Sequence, residues 1–247
     1  MKKTIILLIL LLSTLLLGGC SQDKLSQDEI KKLYMEAHVN TKNDPKMHYE
    51  VLMETKIKYG SDTMSILTVY DIKIAPNENG TQLFQIDFTI TADEIKERFI
   101  YYYDGEKYYL TAFGETEEVD ASEAGEELDV LNLEKYLVFE PESMLNLTSK
   151  QTGENRLIQF DLASVELTAL MIRELDFYVK EFITIESQYH ALQNHILINS
   201  DGEIIQNGLY LEYSSMLSDE KITVSYRYVV EVKDKGDTVI LDFMKNE

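Results

Sequence analysis

The chain has 247 residues, of which 44 are acidic and 23 are Lys or Arg, for a formal net charge of −21. A surface this acidic repels nucleic acid and anionic lipid, so no nucleic-acid partner is expected. A hydrophobic content of 45% is too high for a disordered chain, and a single cysteine excludes an intrachain disulfide.

Lys2 and Lys3 open the chain, followed by an apolar run from Ile5 to Leu17 broken only by Ser13 and Thr14. Leu17-Gly18-Gly19-Cys20 comes next. A charged start, a short apolar stretch and small residues are the anatomy of a secretory signal peptide, expected over residues 1–19 and cleaved. A membrane-spanning helix needs about 20 apolar residues and would not end in helix-breaking glycines. Leu-Gly-Gly-Cys resembles the lipobox of bacterial lipoproteins. That resemblance implies a diacylglyceryl group on the Cys20 thiol and residues 20–25 as a lipidated tether. It also accounts for an unpaired thiol in an exported chain, and two acyl chains anchor stably where one does not. The expected location is the extracytoplasmic face of a cell membrane. Arginine occupies only Arg98, Arg156, Arg173 and Arg227 against many lysines, a bias of AT-rich genomes that suggests a Gram-positive source.

Ser26-Gln27-Asp28-Glu29 is a capping box, and Ile30, Leu33, Tyr34 and Ala37 recur on one face of the helix it starts. Asn43-Asp44-Pro45 ends that helix. The period then becomes two. Met64, Ile66, Thr68, Tyr70, Ile72 and Ile74 share a face, residues 76–80 turn, and Phe84, Ile86, Phe88 and Ile90 alternate with polar neighbours. Phe99–Tyr103, the turn at Asp104-Gly105 and Tyr108–Leu110 read as a hairpin. Residues 114–129 are acidic and read as a flexible loop leading into a helix at about 128–136. Leu145–Ser149 and Arg156–Leu162 form another hairpin. Ser164 caps a second strong helix whose core face holds Leu167, Leu170, Met171, Leu175 and Tyr178. Ala191–Asn199, Ile204–Tyr213, Ile222–Val232 and Val239–Phe243 read as the closing strands.

This order predicts an α+β fold: one domain over residues 26–247, with about ten antiparallel strands in a strongly curved sheet wrapped around two or three helices on its concave side. One-sided strands must bury their apolar face, and the amphipathic helices are the covers available. The expected cavity lining is Leu33, Tyr34, Phe84, Phe88, Tyr101, Tyr103, Leu170, Met171, Tyr226 and Tyr228. Tyrosine, apolar in body and polar at its tip, suits a cavity mouth, although it is also a common strand residue.

Nothing in the chain spells out catalysis, so an enzyme is not expected. There is no Gly-x-Ser-x-Gly, no Walker loop and no dinucleotide glycine fingerprint. His38, His48, His190 and His195 lack metal-ligand spacing, and the acids of 115–129 do not fit a calcium loop. No cofactor is expected, and the acid run reads as a solvated segment.

The order of elements also resembles that of LolA/LppX-like lipoproteins, in particular the LppX-like lipoproteins of Gram-positive bacteria. The resemblance rests on Leu17–Cys20, the helix from Ser26 to Lys42, the strand-turn-strand from Tyr101 to Tyr109, and the closing hairpins from Ile196 to Phe243. It implies an open antiparallel half-barrel whose concavity binds acyl chains. The expected function is therefore a membrane-anchored, non-enzymatic binder or carrier of a lipid-like ligand. The alternative is an envelope scaffold that binds a protein neighbour and has no ligand cavity.

Overall fold

The computed structural model describes residues 25–42, 44–120, 140–163, 188–217 and 220–243. Helix α1 spans Gln27–Lys42. Its capping box forms as the sequence predicts: Ser26 N–H donates to Glu29 Oε2 at 2.7 Å and Glu29 N–H donates to Ser26 Oγ at 3.3 Å. The Ser26 backbone N–H, then its hydroxyl, hold the Glu29 carboxyl below its ordinary value. Ile30, Tyr34 and Ala37 face inward and are fully buried.

Eleven strands follow: β1 Met47–Tyr59, β2 Asp62–Pro76, β3 Gln82–Ala92, β4 Ile95–Tyr103, β5 Tyr108–Ala112, β6 Glu115–Val119, β7 Met144–Thr152, β8 Asn155–Leu162, β9 Gln188–Ile198, β10 Ile204–Leu217 and β11 Glu220–Lys235. They form one open, wholly antiparallel sheet in the order β6-β5-β4-β3-β2-β1-β11-β10-β9-β8-β7. Two meanders, β1–β6 and β7–β11, therefore meet along β1 and β11, which pair from Met47–Lys235 to Tyr59–Ile222.

Helix α1 packs on the second meander, against β7 and β10. It is tied at both ends. Gln27 Nε2 donates to the Leu147 carbonyl at 2.6 Å and Leu147 N–H donates to Gln27 Oε1 at 3.0 Å. Asn40 Nδ2 donates to the Gly202 carbonyl at 3.1 Å, and Ile204 N–H donates to Thr41 Oγ1 at 2.7 Å. Those bonds set the helix direction. Its N-terminus lies toward the end of the sheet where β7 begins, and its C-terminus at the β9–β10 turn.

Several expectations are corrected. The acidic stretch after Gly114 is not all loop: Glu115–Val119 is strand β6, on the edge of the sheet. Phe113 and Gly114, both at positive φ (53° and 84°), make the tight turn that folds it back. Glu115, Glu117 and Glu118 suit an edge, where charge discourages pairing with another chain. The expected strand Val239–Phe243 is absent from the sheet. A 3-10 turn at Gly236–Thr238 redirects the chain onto the outer face, where Leu241 is buried against Ala75 and Leu83. Its alternating pattern came from packing on a sheet, not from pairing within one. The strands among the described residues number eleven, in line with the expected ten or so. Among the described residues there is one α-helix, not two or three. The expected helices at 128–136 and from Ser164, with Leu170 and Met171, lie outside the described residues, as do the signal peptide and Cys20.

Candidate functional site

The face of the sheet that carries α1, the inner face, is apolar from one meander into the other. Register fixes which side chains share it. One row runs Phe99, Phe88, Tyr70, Val51, Val230, Asn207, Ile196, Ile158, each directly opposite the next across β4 to β8. A second runs Tyr101, Ile86, Ile72, Tyr49, Val232. Tyr226 and Tyr228 of β11 face Thr55 and Met53 of β1 on one side, and Leu211 and Leu209 of β10 on the other.

Eight of the ten expected lining residues are thus brought together. Tyr34, Phe84, Phe88, Tyr226 and Tyr228 are buried in one core cluster, and Leu33, Tyr101 and Tyr103 pack against it half-buried. The remaining two, Leu170 and Met171, are beyond what is described. Tyr102 takes the other face, as alternation requires, and stacks on Tyr109 and Phe243 at 4.8 and 5.0 Å between centroids.

Burial is uneven along this face. From β3 across to β8, Ile86, Ile72, Val51, Val230, Ile196 and Ile158 are completely buried. In the wing formed by β4 and β5, Phe99, Tyr101, Tyr103, Tyr108 and Leu110 are only half-buried. The wing is a shelf of stacked rings: Phe88–Phe99 at 5.1 Å, Phe88–Tyr101 at 6.0 Å, Phe84–Tyr103 at 5.9 Å and Tyr103–Tyr108 at 4.6 Å. Two buried amides, Asn194 and Asn207, interrupt the lining of the other half. Asn194 Nδ2 donates to the Phe160 carbonyl at 3.3 Å, and its Oδ1 is buried without a hydrogen-bond partner.

The outer face is polar and ion-paired. His48 lies between Asp71 (3.0 Å) and Asp234 (3.2 Å), Lys73 meets Asp242 at 2.8 Å, Lys233 meets Glu231 at 3.0 Å, and Arg98 pairs with Asp87. Among the described residues no group of three His, Cys, Asp or Glu side chains is placed to hold a metal ion. No helix among them is long and apolar enough to cross a membrane.

Sequence reasoning missed the outer-face strap at 239–243. Asp242 N–H donates to Gln85 Oε1 at 2.8 Å, Gln85 Nε2 donates to Asp242 Oδ2 at 3.0 Å, and Phe243 lies on Tyr102. It also missed a close approach on that face. The imidazole of His195 fills the space beside Gly208, where an added Cβ would lie 2.0 Å from His195 Cε1. The only sequence signal was a glycine inside an otherwise regular strand.

No protein-family model matches the chain, and no curated protein matches it either. Solved structures do. The lipoprotein LppX of Mycobacterium tuberculosis aligns at a TM-score of 0.42 and 13% identity, over 88% of this chain and 100% of that one. LprF of Mycobacterium bovis aligns at 0.42 and 8%, over 86% of this chain and 95% of that one. A DUF1329 family protein of Desulfovibrio piger aligns at 0.23 and 10%, over 86% and 93%. LppX is the namesake of the family that the sequence resembles. Likenesses of this degree establish no residue-by-residue correspondence.

Proposed function

We propose that this chain is a membrane-anchored extracytoplasmic lipoprotein that binds an apolar, lipid-like ligand on its inner face and catalyses no reaction. The observation that supports the reading most directly is the unevenness of burial. The inner face is apolar from β4 to β8 and completely buried at Ile86, Ile72, Val51, Val230 and Ile158, yet the ring-rich wing at β4 and β5 keeps accessible surface. Aromatic faces half open to solvent gain free energy by covering, at roughly 25 cal/mol per Å² of apolar surface. An acyl chain lying along the Phe99–Tyr101–Tyr103 shelf would supply that cover. Anchoring rests on the signal-peptide anatomy and on Cys20 at its end.

The test is native mass spectrometry of the full chain purified from bacterial cells, followed by titration of the delipidated protein with a fluorescent fatty-acid analogue. A co-purifying apolar molecule and saturable binding are expected. Binding should weaken several-fold in Phe99→Ser and Tyr103→Ser, whose half-buried rings form the shelf, with circular dichroism checking that each variant stays folded. A protein that emerges apo and does not bind the analogue would favour the scaffold alternative instead.

A further inference from the structure

The two ends of the sheet differ in chemistry. At one end lie the β1–β2, β3–β4 and β5–β6 turns, as the pairs Tyr59–Asp62, Ala92–Ile95 and Ala112–Glu115 show. At the other end the turns are polar: Asn77–Gly80, Asp104–Lys107 and Asn199–Gly202. The first end carries large exposed apolar side chains at its tips: Tyr59, Met64, Ile95 (66% exposed) and Phe113 (86% exposed). They are not scattered. By register Tyr59, Met64 and Ile95 stand on the inner face, and Phe113 meets the inner-face ring of Phe99 edge-on at 6.1 Å. Large apolar side chains therefore persist on the inner face to this end of the sheet, interleaved with the exposed carboxylates of Asp62, Glu97 and Glu115 on the same face. Single exposed apolar residues, such as Val39 and Ile240 toward the other end, are ordinary, but four grouped on one face at one end are not.

The tether points the same way. Gln27 is bonded to Leu147, near the start of β7, so α1 begins toward the apolar-tipped end and finishes at the polar one. Only residues 20–25 separate Cys20 from the helix cap. Fully extended they reach about 20 Å. A lipid on Cys20 would hold that end close to the bilayer.

We infer that the β1–β2, β3–β4 and β5–β6 hairpin tips rest in the interfacial layer of the membrane, so that the apolar inner face opens directly onto lipid. The inference rests on the anchoring proposed above and adds an orientation and a route: a ligand passes between bilayer and shelf without crossing water. Asp93 and Glu94 form the β3–β4 turn itself, and Asp62, Glu97 and Glu115 stand beside the apolar residues. The contact is therefore apolar and shallow, and anionic lipid weakens it.

The chain contains no tryptophan, which permits a clean test. Phe113→Trp and Ile95→Trp are made in the full chain, with Asn79→Trp at the polar end as reference. Each is matured in bacterial cells and reconstituted into phosphatidylcholine vesicles containing brominated acyl chains. Tryptophan at 113 and 95 should shift its emission to the blue and be quenched, and at 79 it should do neither. Adding phosphatidylglycerol should reduce the quenching. Co-flotation with the vesicles but no quenching at 113 and 95, or equal quenching at 79, overturns the orientation and leaves the anchor standing. Failure to co-float, as expected of Cys20→Ser, would remove the anchor and the orientation together.

Discussion

Gly208 shows how much one missing atom group determines. The imidazole of His195 occupies the place of a Cβ, so Gly208→Ala forces the ring or the backbone to move. Overpacking of this kind costs about 1–3 kcal/mol. Urea melts should show that loss, and His195→Ala should recover most of it in the double variant. Asp104 makes a different contribution. Burial pushes its carboxyl up, but the N–H groups of Lys107 and Glu106, with the Tyr109 hydroxyl, outweigh this and leave it below the ordinary value. A depressed carboxylate stabilises the fold above its unfolded-state value, and that contribution is lost as pH falls through the folded one. Hydrogen exchange in the β4–β5 hairpin should therefore accelerate on acidification below the ordinary carboxylate range. In Asp104→Asn that acceleration should largely disappear.

At the level of elements, α1 depends on a single glutamine as much as on its apolar stripe. The Gln27 side chain imitates a strand neighbour, giving an acceptor to Leu147 N–H and a donor to its carbonyl. Gln27→Ala leaves both backbone groups without that partner and should destabilise by about 1–3 kcal/mol, measured by thermal or urea unfolding. Leu241→Ala should cost about 2 kcal/mol or somewhat more, because it empties the small cluster with Ala75 and Leu83. Elements like α1 and the Tyr101–Tyr109 hairpin were legible because caps, turns and periodicity are local. The strap was misread because packing across a sheet and pairing within one impose the same period of two on Val239 and Leu241. Strand β6 was missed because its acids follow the demands of an edge rather than β-propensity. The shared face of Tyr101 and Tyr103 followed from alternation. Their meeting with Tyr226 and Tyr228 did not, since it depends on β1 pairing with β11 at a sequence separation no local pattern encodes.

For the whole molecule, the organising contact is that β1·β11 pairing, with α1 reinforcing it. The helix belongs to the first half of the chain but is fastened to the strands of the second. Cleavage at a protease site engineered between residues 120 and 140 should therefore not separate the pieces. The two fragments should co-elute in native size exclusion and part only in denaturant. Co-elution lost on cleavage alone would show that the junction is weaker than its register implies.

That junction also dictates timing. A precursor that crosses the membrane amino-end first delivers β1 early and its partner β11 last. Until then β1 and β10 each present an unsatisfied hydrogen-bonding edge, and the sheet exists only as two separate ribbons. Pairings this distant in sequence form slowly and leave sticky intermediates. In the export proposed above, the emerging polypeptide would stay threadable, with its final zippering deferred to the far side, where a foldase acting on the last forty residues would have the greatest leverage on yield.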